Sequence, residues 1–272
     1  MKPRSISPSS YDKWDNCQWA YYLAYEMGIR SPSGPQAVHG TVFHSASEIG
    51  AAKTIETGEY CCPSKYLAEA QLDLKEDEKH HLTPDSLIQI QKWLTNHKLR
   101  FQEYFRLPIL GIEERFYLVF NNDLQRLDDC VVPECYLNLP PSELFSINGF
   151  MDLVIKEDEE TVHIVDFKTG KPKSENELRK SIQPQIYFLA ASYLWPWAKH
   201  ILLTFDYIKG QQRTITFDST YNNVLLKQLR NRHLEIINCN KPKRPYKEFW
   251  LCRFCYGYNS DTCKGLWEKF NV

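Results

Sequence analysis

The sequence lacks several features that define specialised classes of protein. It has no apolar run long enough to cross a lipid bilayer, and residues 1–5 lead into no secretory signal. It also has no internal repeat and no low-complexity segment. These absences predict an intracellular, cytoplasmic protein with a globular fold and no membrane partner.

The chain has no excess of charge of either sign. Its 33 Lys and Arg residues and 34 Asp and Glu residues give a net charge of −1. A surface that binds a polyanion would therefore have to be local, and the basic stretches at residues 168–180 and 241–247 are the two candidates. The alternative is that each is a solvated surface, as most charge runs are.

The length and composition are sufficient for a substantial core. The chain has 272 residues, of which 43% are hydrophobic and 25% charged, as in ordinary globular proteins. Helical patterns dominate up to about residue 110, at residues 11–25, 36–54 and 84–105. A mixed β/α region follows, and we place no firm domain boundary within the chain.

The mixed region begins with a β-rich run at residues 113–120. Two further strand-like runs, 144–155 and 161–167, flank an acidic turn, and this pattern predicts a hairpin. The pattern then predicts a helix, two strands and a last helix, at residues 176–194, 201–208, 214–217 and 221–237. The order predicts an α/β fold with a helical N-terminal region and a Cys-rich tail.

Nine cysteines are many for an intracellular protein, where disulfides are rare. Cys252, Cys255 and Cys263 have the spacing of metal ligands. Three thiolates leave one ligand position to be filled, and the spacing alone fits either a structural Zn²⁺ or an iron–sulfur cluster. The other cysteines of the tail and centre suggest no special role.

The strand-like run that ends in Asp166-Phe167-Lys168 carries the main candidate for chemistry. Residues two apart on a strand project to the same face, so Asp166 and Lys168 lie together. A carboxylate can ligate Mg²⁺, and a neighbouring ammonium can stabilise charge that develops on an attacked phosphate. The alternative is an exposed ion pair at the end of a strand.

Two further side chains could join this pair. Asp152 lies among apolar residues of the preceding strand, and a buried carboxylate is costly unless it is paired or bound to a metal. Asp152 could instead be satisfied by the backbone or by Lys168. His44 lies on the second helical pattern, with small residues, Gly40 and Ser47, near it; a histidine satisfied by packing is the alternative.

Gln183 and Tyr187 lie four residues apart on the helix that follows the D-x-K strand, and therefore on one face of it. They could contact a phosphate or orient Lys168. Gln and Tyr at this spacing are also common in helices that have no such role.

Taken in order, these motifs resemble the PD-(D/E)XK nuclease superfamily, and specifically its RecB-like branch. The order is Gly40-x-x-x-His44, Gly149-x-x-Asp152, Asp166-x-Lys168-Thr-Gly and Gln183-x-x-x-Tyr187. The resemblance runs from about residue 5 to residue 263. It implies a restriction-endonuclease-like core, a central mixed sheet flanked by helices, in one nuclease domain over residues 1–272. Its parts would be a mainly helical part at residues 1–110, a catalytic core at 111–240 and a cluster-binding tail at 241–272.

The resemblance also implies roles for individual residues. His44, Asp152 and Asp166 would hold Mg²⁺ or Mn²⁺, Lys168 would be the catalytic lysine, and Gln183 and Tyr187 would serve the substrate or the lysine. Some RecB-like nucleases, among them CRISPR-associated and AddB-type enzymes, hold a [4Fe–4S] cluster through one N-terminal and three C-terminal cysteines. In this sequence Cys17, Cys252, Cys255 and Cys263 match them, although the gap before Cys263 is longer than expected. Glu113 or Glu114 would be an additional acidic contributor, and the resemblance does not choose between the two.

By this resemblance the protein is expected to be an exonuclease that hydrolyses DNA at ends or in single strands, in repair or recombination. Because the chain has no helicase motif, a helicase or another recombination protein would have to supply any unwinding. A non-catalytic DNA-binding or scaffold protein with a structural iron–sulfur or zinc site is the alternative, and a redox iron–sulfur protein is a weaker one. Metal-dependent digestion of DNA distinguishes the first from the others.

Overall fold

The computed structural model describes residues 5–30, 32–127, 143–208 and 210–243, together with Cys252 and Cys263. Its helices are α1 (Pro8–Asn16), α2 (Gln18–Tyr25), α3 (Pro35–Thr57), α4 (Glu76–Lys79), α5 (Pro84–Asn96), α6 (Lys98–Tyr104), α7 (Glu175–Lys180), α8 (Ile182–Leu194) and α9 (Asn222–Ile237). Its strands are β1 (Ser5–Ile6), β2 (Ile109–Asn121), β3 (Leu144–Lys156), β4 (Thr161–Lys168), β5 (His200–Tyr207) and β6 (Gln211–Ile215). None of the described helices combines the length and the apolar character needed to cross a membrane.

The chain folds into two compact units, each assembled from separate stretches of sequence. The first unit comprises Met1–Pro32, Tyr117–Asn148 and Asn223–Val272, and the second comprises Ser33–Phe116 and Gly149–Asn222. Each unit takes residues from both the expected helical part and the expected α/β core, and the single nuclease domain stays a prediction.

The second unit contains a mixed sheet in the order β3-β4-β5-β6. β3 and β4 form the expected antiparallel hairpin, with Leu153 opposite Val165. β5 lies parallel to β4, with Phe205 beside Asp166, and β6 is antiparallel to β5. A parallel pair needs a crossover connection, which α7 and α8 supply. The fold class expected from the sequence, a mixed sheet flanked by helices, is therefore confirmed.

One face of this sheet packs against α3, α5 and α6. Phe167, the middle residue of the D-x-K tripeptide, lies 6.2 Å from the ring of Phe43 and 5.3 Å from that of Phe101, measured between ring centroids. Phe167 is buried, and burial of such a side chain stabilises the fold by about 1.5–3 kcal/mol. Since side chains alternate along a strand, anchoring Phe167 directs Asp166 and Lys168 away from this core.

The single helix expected at residues 176–194 is two helices. α7 ends and α8 begins at Ser181, whose backbone is extended, with φ −72° and ψ 141°. A continuous helix would place Pro184 in its interior, where proline has no N–H to donate and its ring clashes with the preceding turn. The break places Pro184 in the first turn of α8, where proline is tolerated.

The first helical pattern is also interrupted, at Cys17. Cys17 has an extended backbone, with φ −165° and ψ 106°, and its Sγ accepts a hydrogen bond of 3.4 Å from the N–H of Ala20. Cys17 therefore caps α2 after ending α1. In the same unit β1 pairs in parallel with the beginning of β3, and Trp14 meets Tyr21 edge to face at 5.1 Å.

Candidate active site

Helix α3 positions His44 beside the sheet. The helix passes close to the end of β4, since a Cβ atom on residue 40 would lie 3.3 Å from Oγ1 of Thr169. Glycine at position 40 therefore permits this approach. His44 follows Gly40 by about one helical turn, and its Nδ1 lies 3.2 Å from Oδ2 of Asp152.

Asp152 connects His44 to the D-x-K strand. Its Oδ2 accepts a hydrogen bond of 2.8 Å from the backbone N–H of Phe167. Of the alternatives that the sequence left open for Asp152, backbone satisfaction is therefore present, but it coexists with the contact to His44. The carboxylate is fixed between α3 and β4.

Asp166 and Lys168 form an ion pair in which the carboxylate is buried and the lysine is half-buried. Lys168 Nζ lies 2.6 Å from Oδ2 of Asp166, whose residue is 3% exposed. The other oxygen, Oδ1, accepts a hydrogen bond of 3.0 Å from Nε2 of Gln183, and Gln183 also donates to the Tyr187 hydroxyl at 2.9 Å. Gln183 therefore contacts Asp166 directly, and Tyr187 joins the site through its hydrogen bond with Gln183.

Glu113 joins the site from β2. His44, Glu113 and Asp152 each offer a ligand atom, and these atoms lie within 4.8 Å of one another. Across the described residues this is the group of three His, Cys, Asp or Glu side chains arranged to hold a metal ion. Asp166 is not in the group, although the resemblance implied that it would be a ligand together with His44 and Asp152.

The backbone at Glu113 explains why the sequence did not identify it. Its φ is +44°, in the left-handed region, which costs a residue other than glycine about 1–2 kcal/mol. Sequence patterns assume that side chains alternate between the two faces of a strand. The positive φ of Glu113 interrupts this alternation, so the pattern does not predict the direction of the Glu113 side chain. The Glu113-Glu114 pair therefore gave no signal that selected Glu113.

Burial is the main cause of the raised pKa values of Glu113 and Asp166. Burial, with the nearby Asp152 carboxylate adding to it, raises the pKa of Glu113 to about 7. Burial likewise raises the pKa of Asp166 to about 6, although the Lys168 ammonium opposes the shift. Both carboxyls therefore hold protons more tightly than ordinary acids, as closely spaced buried carboxylates do.

His44, Asp152 and Lys168 are shifted toward their charged forms. Burial opposes ionisation of Asp152, but His44, Lys168 and the N–H of Phe167 outweigh it and lower the pKa of Asp152. For His44 and Lys168 burial again works against the charged form, and the surrounding carboxylates outweigh it and raise both pKa values. The Asp152 carboxylate and the His44 and Lys168 cations therefore stabilise one another's charged forms in the metal-free protein.

An open cleft of about 590 Å³ gives access to His44, Glu113 and Asp152. Its lining combines one face of α3 with three acidic residues and the end of β4: Gln36, Ala37, Gly40, Thr41, His44, Ser45, Glu48, Glu113, Asp152 and Thr169. The cleft is therefore suited to a polar substrate that reaches the metal candidate group directly.

Of the cysteines expected to hold the cluster, Cys17, Cys252 and Cys263 lie in the first unit. Cys17 packs against a small group formed by Trp19, Leu23 and Cys263, in which Cys263 is buried. Cys252 is half-buried, and Cys255 lies outside the described residues. Cys17 and Cys263, which are far apart in sequence, therefore share one small core.

Comparisons with known proteins bear on this arrangement. The sequence pattern of the PD-(D/E)XK nuclease superfamily matches residues 5–257. No curated protein is significantly similar in sequence. In three dimensions the chain is similar to a protein of Eubacterium rectale that is provisionally named an exonuclease, with a TM-score of 0.53, 12% identity and 94% of each chain covered. A second solved structure, SSO0001, is 12% identical over 88% of this chain and 91% of that one, with a TM-score of 0.35.

At 12% identity the likeness to the Eubacterium rectale protein supports the fold alone, and a TM-score of 0.35 supports no argument. The family match covers most of the chain and includes all four motifs around Asp166 and Lys168. This chain belongs to the PD-(D/E)XK nuclease superfamily.

Proposed function

We propose that this protein is a deoxyribonuclease that requires Mg²⁺ or Mn²⁺ and degrades DNA from ends or in single strands. The observation that carries the proposal is the convergence of three ligand atoms, from His44, Glu113 and Asp152, beside the Asp166–Lys168 ion pair. The provisional name of the Eubacterium rectale protein supports the exonuclease assignment.

The chemistry of the donors fits a divalent cation. Two carboxylates and an imidazole within 4.8 Å of one another suit Mn²⁺, and oxygen ligands with remaining water positions suit Mg²⁺. We assign His44, Glu113 and Asp152 as ligands and retain Asp166 as a further one, reached when its ion pair with Lys168 opens. A bound cation would supply positive charge that polarises the scissile phosphate.

The remaining side chains of the site stabilise charge on the phosphate and orient the Asp166 carboxylate. Lys168 is a cation held 2.6 Å from Asp166, so it can donate to the attacked phosphate and offset its developing charge without first losing a proton. Gln183 fixes Asp166 through Oδ1, and Tyr187 in turn accepts from Gln183. Gln183 and Tyr187 therefore act through Asp166 and hold its carboxylate in one orientation.

End-labelled DNA tests this assignment. Wild-type protein with Mg²⁺ or Mn²⁺ should shorten linear single- or double-stranded DNA from its ends and leave closed circular DNA intact. Asp166→Asn and Lys168→Gln should each lose activity, by on the order of a hundredfold or more. Glu160→Gln and Lys199→Gln are matched controls, because Glu160 and Lys199 form an exposed ion pair at the other end of β4.

Two results would count against the proposal. Cleavage of closed circles would replace the exonuclease assignment with an endonuclease. Failure to cleave any DNA with either metal would exclude the nuclease and favour the alternative of a non-catalytic DNA-binding protein.

A [4Fe–4S] cluster held by Cys17, Cys252, Cys255 and Cys263 is the second part of the proposal. The support is that Cys17 and Cys263 pack in the same small core, although they are far apart in sequence. The cluster would join α2 to the tail, so its role would be structural. Zinc is the alternative metal for the same thiolates.

Iron and sulfide analysis of anaerobically purified protein decides between the two. Iron and sulfide in equal amounts, with a brown colour that is lost in Cys17→Ser and retained in Cys239→Ser, would support the cluster. Zinc without sulfide would support the structural zinc site instead.

A further inference from the structure

A short basic segment leaves the catalytic strand directly after Lys168. Residues 169–173 connect β4 to α7 and carry two exposed lysines, Lys171 and Lys173. The first residue of the segment, Thr169, lines the same cleft as His44, Glu113 and Asp152. The segment therefore begins at the wall of the cleft and continues to the protein surface.

The segment is fixed at both ends. At its start the carbonyl of Lys168 accepts a hydrogen bond of 3.0 Å from the N–H of Ile208. At its end the N–H of Lys173 donates to the Tyr207 hydroxyl at 3.0 Å, and Ser174 caps α7 in a reciprocal arrangement with Glu177. Pro172 restricts the backbone between them. A surface fixed in this way loses little conformational entropy when it binds.

The cleft and the segment carry opposite charges: the acidic cleft suits a metal cation, and the lysines of residues 169–173 suit the phosphates of a nucleic acid. The cleft presents Glu48, Glu113 and Asp152, which a polyanion approaches only with a cation present. Lys171 and Lys173 are exposed and join none of the ion pairs of the described residues; the Lys173 charge contributes to the lowered pKa of Glu177, which is due mainly to hydrogen bonds from Ser174. A nucleic-acid backbone needs such cations near the metal, because phosphate contacts supply most of its sequence-independent affinity.

We propose that residues 169–173 bind the phosphate backbone of the substrate strand beside the scissile phosphate, through Lys171 and Lys173, and that the Tyr207 hydroxyl holds this segment in place. The inference rests on the proposed nuclease function and specifies how its site binds its substrate. Tyr207 is 2% exposed and cannot reach solvent, so it is a positioning residue that acts through Lys173.

The test measures how salt affects DNA binding. Anisotropy of fluorescein-labelled oligo(dT) is followed from roughly 50 to 200 mM salt, in an Asp166→Asn background that prevents cleavage. The Lys171→Gln/Lys173→Gln variant should bind more weakly, and the slope of log K against log salt should shrink by about 1.4, or about 0.7 for each phosphate that a lysine no longer neutralises. The matched control is Lys65→Gln/Lys92→Gln, which removes two exposed lysines of the same unit that do not line the cleft.

The positioning role has its own readout. Tyr207→Phe deletes the hydroxyl and keeps the ring, so it should raise the KM for DNA more than it lowers kcat. In the Lys171→Gln/Lys173→Gln background Tyr207→Phe should not change the affinity for DNA further, because the effects of residues that act through one another do not add. An effect of equal size in both backgrounds would overturn the positioning role.

The outcomes separate the inference from the proposed function. If wild-type protein cleaves DNA and the lysine variant keeps the slope of the control, the inference is wrong and the nuclease assignment stands. If wild-type protein neither binds oligo(dT) nor cleaves DNA, the proposed function fails, and the inference fails with it.

Discussion

At the scale of a single residue, the left-handed backbone of Glu113 costs the folded state conformational free energy. A φ of +44° is unfavourable for glutamate, and such outliers persist where the surrounding structure enforces them, often at functional sites. Here the result is a carboxylate near His44 and Asp152. The neighbouring Glu114 differs from Glu113 mainly in its place on the strand, which makes the pair a natural comparison.

We predict that Glu113→Gln weakens the binding of Mn²⁺ by at least about tenfold, whereas Glu114→Gln leaves it within about twofold, because a neutral amide is a poorer ligand for a hard cation. Titration calorimetry with Mn²⁺ measures both. Glu113→Gly should also lose the metal while unfolding at an equal or higher temperature, since glycine adopts a positive φ without strain. Equal Mn²⁺ affinity in Glu113→Gln and wild type would remove Glu113 from the ligand set.

Metal binding should depend on pH. The pKa of Glu113 is raised to about 7 and that of Asp166 to about 6, so both carboxyls carry protons at mildly acidic pH in the metal-free protein. A cation binds the ionised forms and must displace these protons. We predict that the affinity for Mn²⁺ rises with pH from about 6 through 7 as the carboxyls ionise, and continues to rise until the His44 imidazolium, whose pKa is also raised, has lost its proton.

Calorimetry in two buffers of different ionisation enthalpy counts the protons released at each pH. Glu113→Gln should release fewer protons than wild type at a pH between the two raised pKa values, and Glu114→Gln should match wild type. Binding that is independent of pH across this range would contradict the raised pKa values.

At the scale of elements, a buried polar network holds β5 and β6 against α6. Asp206 is fully buried and accepts from the Tyr104 hydroxyl at 2.9 Å, and Arg100 is ion-paired with the other oxygen. His97 lies 3.1 Å from Asp206, and Gln212 of β6 donates to Tyr104 at 2.6 Å. Because Asp206 is the register partner of Phe167, this network fixes β5 beside the D-x-K tripeptide.

We predict that Asp206→Ala lowers the free energy of unfolding by about 3 kcal/mol, since it leaves the donors of this network without their shared acceptor. Glu160→Ala, which breaks the exposed pair with Lys199, should cost less than about 1 kcal/mol. Urea denaturation measures both variants. Similar stability of the two would mean that the buried network contributes little.

Helices α7 and α8 show which features of an element a sequence pattern predicts and which it misses. The spacing of Gln183 and Tyr187 predicted that they share a helix face, and the hydrogen bond of 2.9 Å between them confirms it. The same pattern missed the break at Ser181, although Pro184 provides a local signal for it. A local feature within one turn is predictable because its cause is in the neighbouring residues.

At the scale of the whole molecule, bound metal should stabilise the native state. A ligand that binds only the folded protein adds about 2.7 kcal/mol at a concentration about a hundred times its Kd. We predict that Mn²⁺ raises the Tm of wild-type protein and not that of Asp152→Asn, which removes a ligand. Thermal unfolding followed by circular dichroism measures this, and an equal rise in both would assign the effect to cation binding elsewhere.

The sequence by itself determined the β3–β4 hairpin and the α/β class, and it selected His44, Asp152, Asp166, Lys168, Gln183 and Tyr187 as candidates. These depend on alternation, helical spacing and motif order, which are written along the chain. The tertiary structure decided what no local pattern contains. It brought Glu113 to His44 and Asp152, packed Cys17 with Cys263, and placed Tyr207 against Lys173. The physical reason is that each of these contacts joins residues from separate elements, so that only packing of the sheet, its helices and one strained residue of β2 determines them.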